Sequence, residues 1–297
     1  MKKQLFYSML IVCIFLHVGC NSDAPEFPLL PEPEEHHSNI GLNKADSIAM
    51  VEIYKKIGPW GYEWDLRDVI TWGGVGIAFD ETNNEYRITG FNYYGSFHGE
   101  IPDEFKELTE LRYLGLGGGT LGGTIPAWIG SFEYLEDLYI GKNLVEGSVP
   151  PEIGNLSNLR VLHLVGNHLS GELPKEIGKL KKLERVYIGD TKIGGEIPKE
   201  FKDIPKLRIL SLADNQFSGR FPIEILNSYC LVDCGHNNIT SLPDEIWTMD
   251  GIVFPNLQYN MLSGTIPDWV KETELWKIGA GFIQRQKEGY GYTNFQE

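Results

Sequence analysis

Residues 159–174 read Leu-Arg-Val-Leu-His-Leu-Val-Gly-Asn-His-Leu-Ser-Gly-Glu-Leu-Pro, and this stretch decides the architecture. Its apolar positions are Leu159, Leu162, Leu164, Leu169 and Leu173, with Asn167, Gly171 and Pro174 at fixed offsets. The same frame recurs along the chain. Its prolines are Pro102, Pro126, Pro150, Pro174, Pro198, Pro222, Pro243 and Pro267, at steps of 24 except one of 21. Gly99, Gly123, Gly147, Gly171, Gly195, Gly219 and Gly264 each precede their proline by three, and Leu111, Leu135, Leu159, Leu183 and Leu207 keep the same interval. Three registers locked to one period mark a repeat architecture.

Each unit offers a short strand, a turn and a return segment, and cannot bury its apolar side alone. Stacked neighbours share a continuous core. Asn143, Asn167, Asn215, Asn237 and Asn260 are placed to hydrogen-bond buried backbone of neighbouring coils. Gly119 and Thr191 interrupt that series, so weakness or another partner is expected there. Proline opens the return segment, where its fixed φ is harmless.

The pattern resembles the leucine-rich repeat family, in its 24-residue plant-type form with the L-x-G-x-I-P half. The resemblance covers about residues 88–274, eight units. The unit at 229–251, with Asn237-Asn238-Ile239-Thr240-Ser241-Leu242-Pro243, looks like a shorter bacterial repeat. The resemblance implies an α/β solenoid: a curved parallel β-sheet on the concave face, irregular or 3-10 return segments, and an N-terminal helix-and-hairpin cap. Residues 41–87 fit that cap. A helix over 44–57 is expected to bury Ile48, Val51, Tyr54 and Ile57, and a hairpin is expected from Val75 to Phe91. Trp60, Trp64 and Trp72 are read as cap core. Leu275, Trp276 and Ile278 suggest a last strand, and residues 275–297 a C-terminal cap.

The chain begins with an address. Lys2 and Lys3 precede an apolar run from Leu5 to Gly19, too short to span a bilayer, so residues 1–19 read as a signal peptide. Leu16-His17-Val18-Gly19-Cys20 resembles a bacterial lipoprotein cleavage box, which implies lipidation at Cys20 and an anchor in the cell envelope. An outer-membrane lipoprotein facing the surface or the periplasm is expected; ordinary cleavage and secretion is the alternative. Residues 20–40, rich in Pro and Glu, suit an extended tether. His36 and His37 are read as a solvated pair within it.

Strand residues alternate, so one position read down the repeats is a physical column on the inner face. The central column is Asn92, Gly115, Tyr139, His163, Tyr187, Ser211, Asp233 and Asn256. The column before it is Gly90, Tyr113, Asp137, Val161, Arg185, Ile209, Leu231 and Phe254. The column after it, Tyr94, Gly117, Gly141, Val165, Gly189, Ala213, Gly235 and Gln258, is mostly small and is expected to leave one flank uncovered. Tyr113, Asp137, Tyr139, His163, Arg185 and Tyr187 are therefore the candidate ligand-binding residues. Aromatic rings beside a charged pair suit a peptide, a protein loop or a sugar face. The competing reading is aromatic stacking that only stabilises the sheet.

Arg112, Glu136, Arg160, Glu184 and Arg208 alternate in sign along one column and are expected to form a structural salt-bridge ladder. Asp190, Asp214 and His236 hold equivalent turn positions and form a weak metal candidate; Asp is at home in such turns, and no metal or other cofactor is expected. Cys230 and Cys234 on one strand lie ~13 Å apart, beyond disulfide reach, so both are expected to be free thiols.

The chain has 297 residues and a formal charge of −15, which excludes a phosphate-backbone binder. No nucleophile elbow, phosphate loop, H-E-x-x-H or Cys/His cluster is present, so no enzyme is expected. The expectation is a monomeric, envelope-presented module binding a protein or peptide. A glycan binder, or a structural or adhesive protein without a concave-face ligand, is the alternative.

Overall fold

The computed structural model describes residues 41–57, 73–95, 97–249, 251–266, 268–272 and 285–292. The signal peptide, Cys20, the tether, Trp60, Trp64, Trp72, Leu275, Trp276 and Ile278 lie outside the described residues.

The described chain opens on helix α1, Lys44–Ile57. Asn43 caps it: its side-chain oxygen accepts from the N–H groups of Ala45 at 2.9 Å and Asp46 at 3.1 Å. The buried face differs from the expected one. Asp46, Ala49, Met50, Ile53 and Ile57 are buried, while Ile48 is 55% exposed. Buried positions at steps of three, four and seven follow the helix, whereas Ile48, Val51 and Tyr54, at constant steps of three, drift around it. A charged residue also belongs to that face. Asp46 is fully buried and takes Arg87 in a two-point contact at 3.0 and 3.1 Å, plus the Ile88 N–H at 2.7 Å.

Strands β1 (Val75–Asp80) and β2 (Glu85–Tyr94) form the expected hairpin. The repeats then alternate inner strands with strands on a second sheet. The inner strands are β3 (Tyr113–Gly117), β4 (Asp137–Tyr139), β6 (Val161–His163), β8 (Arg185–Tyr187), β10 (Ile209–Ser211) and β12 (Leu231–Asp233). The outer ones are β5 (Glu146–Gly147), β7 (His168–Glu172), β9 (Lys192–Glu196), β11 (Gln216–Arg220) and β13 (Asn238–Ser241). Among the described residues the inner sheet has eight strands in the order β1-β2-β3-β4-β6-β8-β10-β12, parallel from β2 onward. The outer sheet runs β13-β11-β9-β7-β5. Among the described residues each repeat-frame proline leads into a short 3-10 turn, such as Pro151–Asn155 or Lys175–Lys179. This is the solenoid that the resemblance to leucine-rich repeats implies.

The leucine positions fill one continuous core: Leu135, Leu138, Leu159, Leu162, Leu164, Leu183 and their equivalents are fully buried. The asparagines stitch the coils. Asn237 donates to the Leu212 carbonyl at 2.9 Å and accepts from the Phe217 N–H at 2.9 Å, both in the preceding coil. Asn143, Asn167 and Asn260 repeat this geometry. The two interruptions resolve differently. Gly119 lends its N–H to Asn143, and Thr191 turns its hydroxyl to Asn215 in the next coil. The series also has a rung that the sequence did not announce. Gln286 donates to the Leu257 carbonyl and accepts from the Leu262 N–H, doing with a glutamine what asparagine does elsewhere. Strand β14 (Ser263–Gly264) pairs beside it with β15 (Gly291–Tyr292).

Cys230 and Cys234 are free and buried, as expected. Burial pushes the Cys230 thiol up to about 12 and Cys234 well above the usual thiol range.

Candidate ligand-binding face

The inner sheet brings the six candidate residues together. Tyr113, Asp137, Val161 and Arg185 pair in succession, as do Gly115, Tyr139, His163 and Tyr187, so both predicted columns exist as adjacent rungs. The rings form one stack. Tyr113 and Tyr139 have centroids 5.5 Å apart, Tyr139 and His163 5.6 Å, and His163 and Tyr187 5.6 Å, with planes inclined by 30°, 30° and 45°. Stacking covers ring faces, and Tyr139 is only 9% exposed. The Tyr94 and Tyr113 hydroxyls influence one another at the head of the row, and burial raises both phenols.

The glycine column is not an open flank. A Cβ on Gly141 would lie 2.6 Å from the His163 ring, and one on Gly117 would lie 2.4 Å from the Tyr94 ring. Gly141 makes space for the His163 ring from the neighbouring column and Gly117 for the Tyr94 ring from its own, while Gly235 faces the Asn256 amide and Gly189 the Ala213 carbonyl. The Cα register alone does not show these approaches.

Burial sets the electrostatics. It holds the His163 imidazole down at about 4, so the ring is neutral at pH 7, and pushes the Tyr139 phenol up to about 12. It also raises the Asp137 carboxyl, against the opposing pull of the Arg160 and Arg185 charges. Asp137 and Arg185 do not pair. Val161, 1% exposed, sits between them on the column, two rungs of ~4.8 Å separating the two charges.

The polar atoms of this face are unusual. Asn92 Oδ1, Asp137 Oδ1, His163 Nδ1 and Arg185 Nε are buried with no hydrogen-bond partner. Among the described residues, every buried side-chain atom left in that condition lies on these two columns. Asn92, at the head of the central column, was visible in the sequence but lacked the aromatic or charged character that draws attention. Asp233, further along the same column, was passed over for the same reason of context. It is 5% exposed, and its Oδ1 accepts from the Gly235 N–H at 3.0 Å and Asn256 Nδ2 at 2.8 Å.

The flanking ladder forms in part. Arg112 meets Glu136 at 3.3 Å, and Arg160 meets Glu136 at 3.9 Å and Glu184 at 3.3 Å. Arg208 makes no ion pair with Glu184 among the described residues, so the ladder stops one rung short. Asp190, Asp214 and His236 owe their place to backbone: each has φ between 52° and 56°, the left-handed conformation that Lys142 and Tyr259 share at equivalent turns. Asp214 and His236 approach to 3.9 Å, and His236 stacks on Tyr259 at 4.2 Å. Among the described residues no three His, Cys, Asp or Glu side chains converge to hold a metal ion. A hollow of about 390 Å³ on the 3-10 turns is lined by Lys175, Glu176, Lys179, Lys181, Glu200 and Asp203. Lys181 is already held there by the Gly178 and Asp203 carbonyls, so this hollow is less telling than the inner face.

The repeated coil, the stitched asparagines and the two sheets define a leucine-rich repeat protein. The family model described as a leucine-rich repeat region matches residues 98–276, more than half of the chain, and the chain belongs to that family. No curated protein matches the sequence. Among solved structures, the Arabidopsis receptor kinase HAESA, in complex with the peptide hormone IDA and the co-receptor SERK1, is 32% identical with a TM-score of 0.54, over 66% of this chain and 32% of that one. A TDR receptor is 29% identical with a TM-score of 0.54, over 61% and 32%. The PEPR1–AtPEP1 structure, at 24% identity and a TM-score of 0.62 over 75% and 32%, shows the shared fold alone. The chain spans about a third of the length of each of these.

Proposed function

We propose that this chain is a non-enzymatic peptide- or protein-binding module whose ligand lies on the inner sheet across Tyr113, Asp137, Tyr139, His163, Arg185 and Tyr187. The observation that carries the reading is the set of buried, unpartnered polar atoms on that face. Leaving such a group unpaired costs about 1–3 kcal/mol each, which a ligand with matching donors and acceptors recovers. The stack favours a peptide over a sugar. Ring faces are spent on one another, so the strip offers edges, hydroxyls and charges rather than a platform for a sugar ring. The HAESA complex with a peptide hormone supports the same class of ligand. A non-catalytic role fits a neutral His163 set between two tyrosines and two cysteines held as buried thiols.

Panning a randomised dodecapeptide display library against the full chain tests the reading. The wild type is expected to enrich peptides, and Tyr139→Ala/Tyr187→Ala to lose at least tenfold of that enrichment while retaining cooperative unfolding. Equal enrichment by a folded variant would place any ligand elsewhere.

The module is further proposed to be held at the bacterial cell envelope by lipid on Cys20, with residues 20–40 as its tether. The support is the lipoprotein-type box and the Pro/Glu-rich segment. Palmitate labelling in a bacterial host should be lost in Cys20→Ala; persistent labelling refutes the anchor.

A further inference from the structure

The inner face carries two side-chain charges that the protein leaves unpaired and a third that it satisfies on one oxygen only, and their order has chemical meaning. The Asp137 side chain forms no hydrogen bond or ion pair among the described residues, and its Oδ1 is buried. Arg185, two rungs on, is equally alone, with its Nε buried. Asp233 follows two rungs later and one column across. Two donors hold its Oδ1 from the sheet side, and its Oδ2 has no partner among the described residues. Between them the two columns offer only Val161, neutral His163, Tyr187, Ile209, Ser211 and Leu231. In the ladder beside them Arg112, Glu136, Arg160 and Glu184 engage one another, and Arg208, which makes no ion pair among the described residues, lies outside these two columns. The face therefore presents minus, plus and minus at alternate rungs.

Leaving the half-buried Asp137 and Arg185 unpaired is costly, and Asp233 is buried with only one of its oxygens hydrogen-bonded; a ligand of opposite charge sequence offsets those costs. Resting on the peptide-binding reading above, we propose that this face selects a peptide in the polyproline II conformation with a basic, an acidic and a basic residue at every third position.

The spacing picks the conformation. Two rungs measure ~9.6 Å. A polyproline II chain rises ~3.1 Å per residue with three residues per turn, so positions i and i+3 lie on one side ~9.3 Å apart. A β-strand places i and i+3 on opposite faces. A helix repeats its face after seven residues at ~10.5 Å and falls out of step by about twice as much again over the second interval. Asp233 also stands two residues along the strand from the Arg185 register, ~6.6 Å sideways, a step that the long Lys or Arg side chain of the ligand would span. A flat strip of ring edges between the charges leaves room for the intervening residues to lie across it.

The dodecapeptide panning, read at the level of sequence, tests this. Enriched peptides are expected to carry Lys or Arg, then Asp or Glu, then Lys or Arg at intervals of three. Arg185→Glu is expected to switch the middle preference from acidic to basic, and Asp137→Asn to erase the preference at one end only, with unfolding transitions confirming that both variants fold. In solution, Lys-Pro-Pro-Glu-Pro-Pro-Lys should bind the full chain at least tenfold more tightly than Glu-Pro-Pro-Lys-Pro-Pro-Glu or Lys-Pro-Glu-Pro-Lys, by fluorescence anisotropy. Enriched peptides that lack the pattern but are lost in Tyr139→Ala/Tyr187→Ala would remove the charge code and leave the peptide site standing. No enrichment, or enrichment indifferent to the tyrosines, would remove both.

Discussion

Asp46 shows how much one side chain can hold. It is fully buried, bonded at two points to Arg87 and at a third to the Ile88 N–H, and so ties α1 to β2. Asp46→Ala leaves Arg87 only Thr109 and the longer contact to Glu110 at 3.8 Å, and leaves the Ile88 N–H unpaired, so it is expected to cost about 3 kcal/mol of unfolding free energy. Urea denaturation measures it, and a loss under ~1 kcal/mol would show the pair to be ornamental. His163 makes a prediction of a different kind. Its pKa falls from 6.5 to about 4 on folding. Between those values the unfolded chain binds the proton and the folded one does not, so stability falls as pH drops from 6.5 toward 4, by up to ~3 kcal/mol. Asp137 and Asp233, raised by burial, act in the opposite sense. The comparison is therefore with His163→Phe, which keeps a ring: its stability at pH 4 relative to pH 7 should exceed that of the wild type. Identical pH slopes would contradict a buried neutral imidazole. Much of this was hidden in the sequence. Nothing about an isolated aspartate at position 46 announces burial, because its partner is 41 residues away.

At the scale of elements, the coil interval depends on close backbone approach. A Cβ on Gly154 would stand 2.5 Å from the Glu176 carbonyl oxygen of the next coil, and Gly130 and Gly178 are confined in the same way by Glu152 and Glu200. Gly154→Ala is expected to cost about 1–3 kcal/mol by forcing neighbouring 3-10 turns apart. Gly118 is the contrast: its φ is +74° but nothing lies within 4 Å, and Lys142 and Asp190 occupy equivalent turns. Gly118→Asn should therefore cost less than ~1 kcal/mol, since asparagine enters this conformation readily. Thermal unfolding of the pair measures the difference; equal losses would contradict it. The strands, the proline-led turns and the asparagine ladder were legible because each rests on a residue type recurring at one period. The helix face was not, because α1 occurs once and has no second copy to confirm its phase. Gln286 escaped for a related reason: it performs the asparagine's task with a longer side chain outside the repeat frame.

Over the whole molecule, a stack of coils must close its ends. The hairpin does this at one end, with α1 packed so that Met50, Ile53 and Ile88 are inaccessible to water. A chain lacking residues 41–80 loses α1 and β1 together and uncovers that surface. It is expected to elute as soluble aggregate in size-exclusion chromatography, and a well-behaved, cooperatively unfolding species would show that the cap is dispensable. By itself the sequence determined the solenoid, the rung register and the composition of each inner column. Those follow from a period, and a period is a property of the chain order. Only the tertiary structure decided that rings fill the flank at Gly117 and Gly141, that Asp46 is buried, and that Asp137 and Arg185 stand unpaired across Val161. Those depend on where side chains lean and what is near them, and separations across stacked coils, not chain order, set the energies of such contacts.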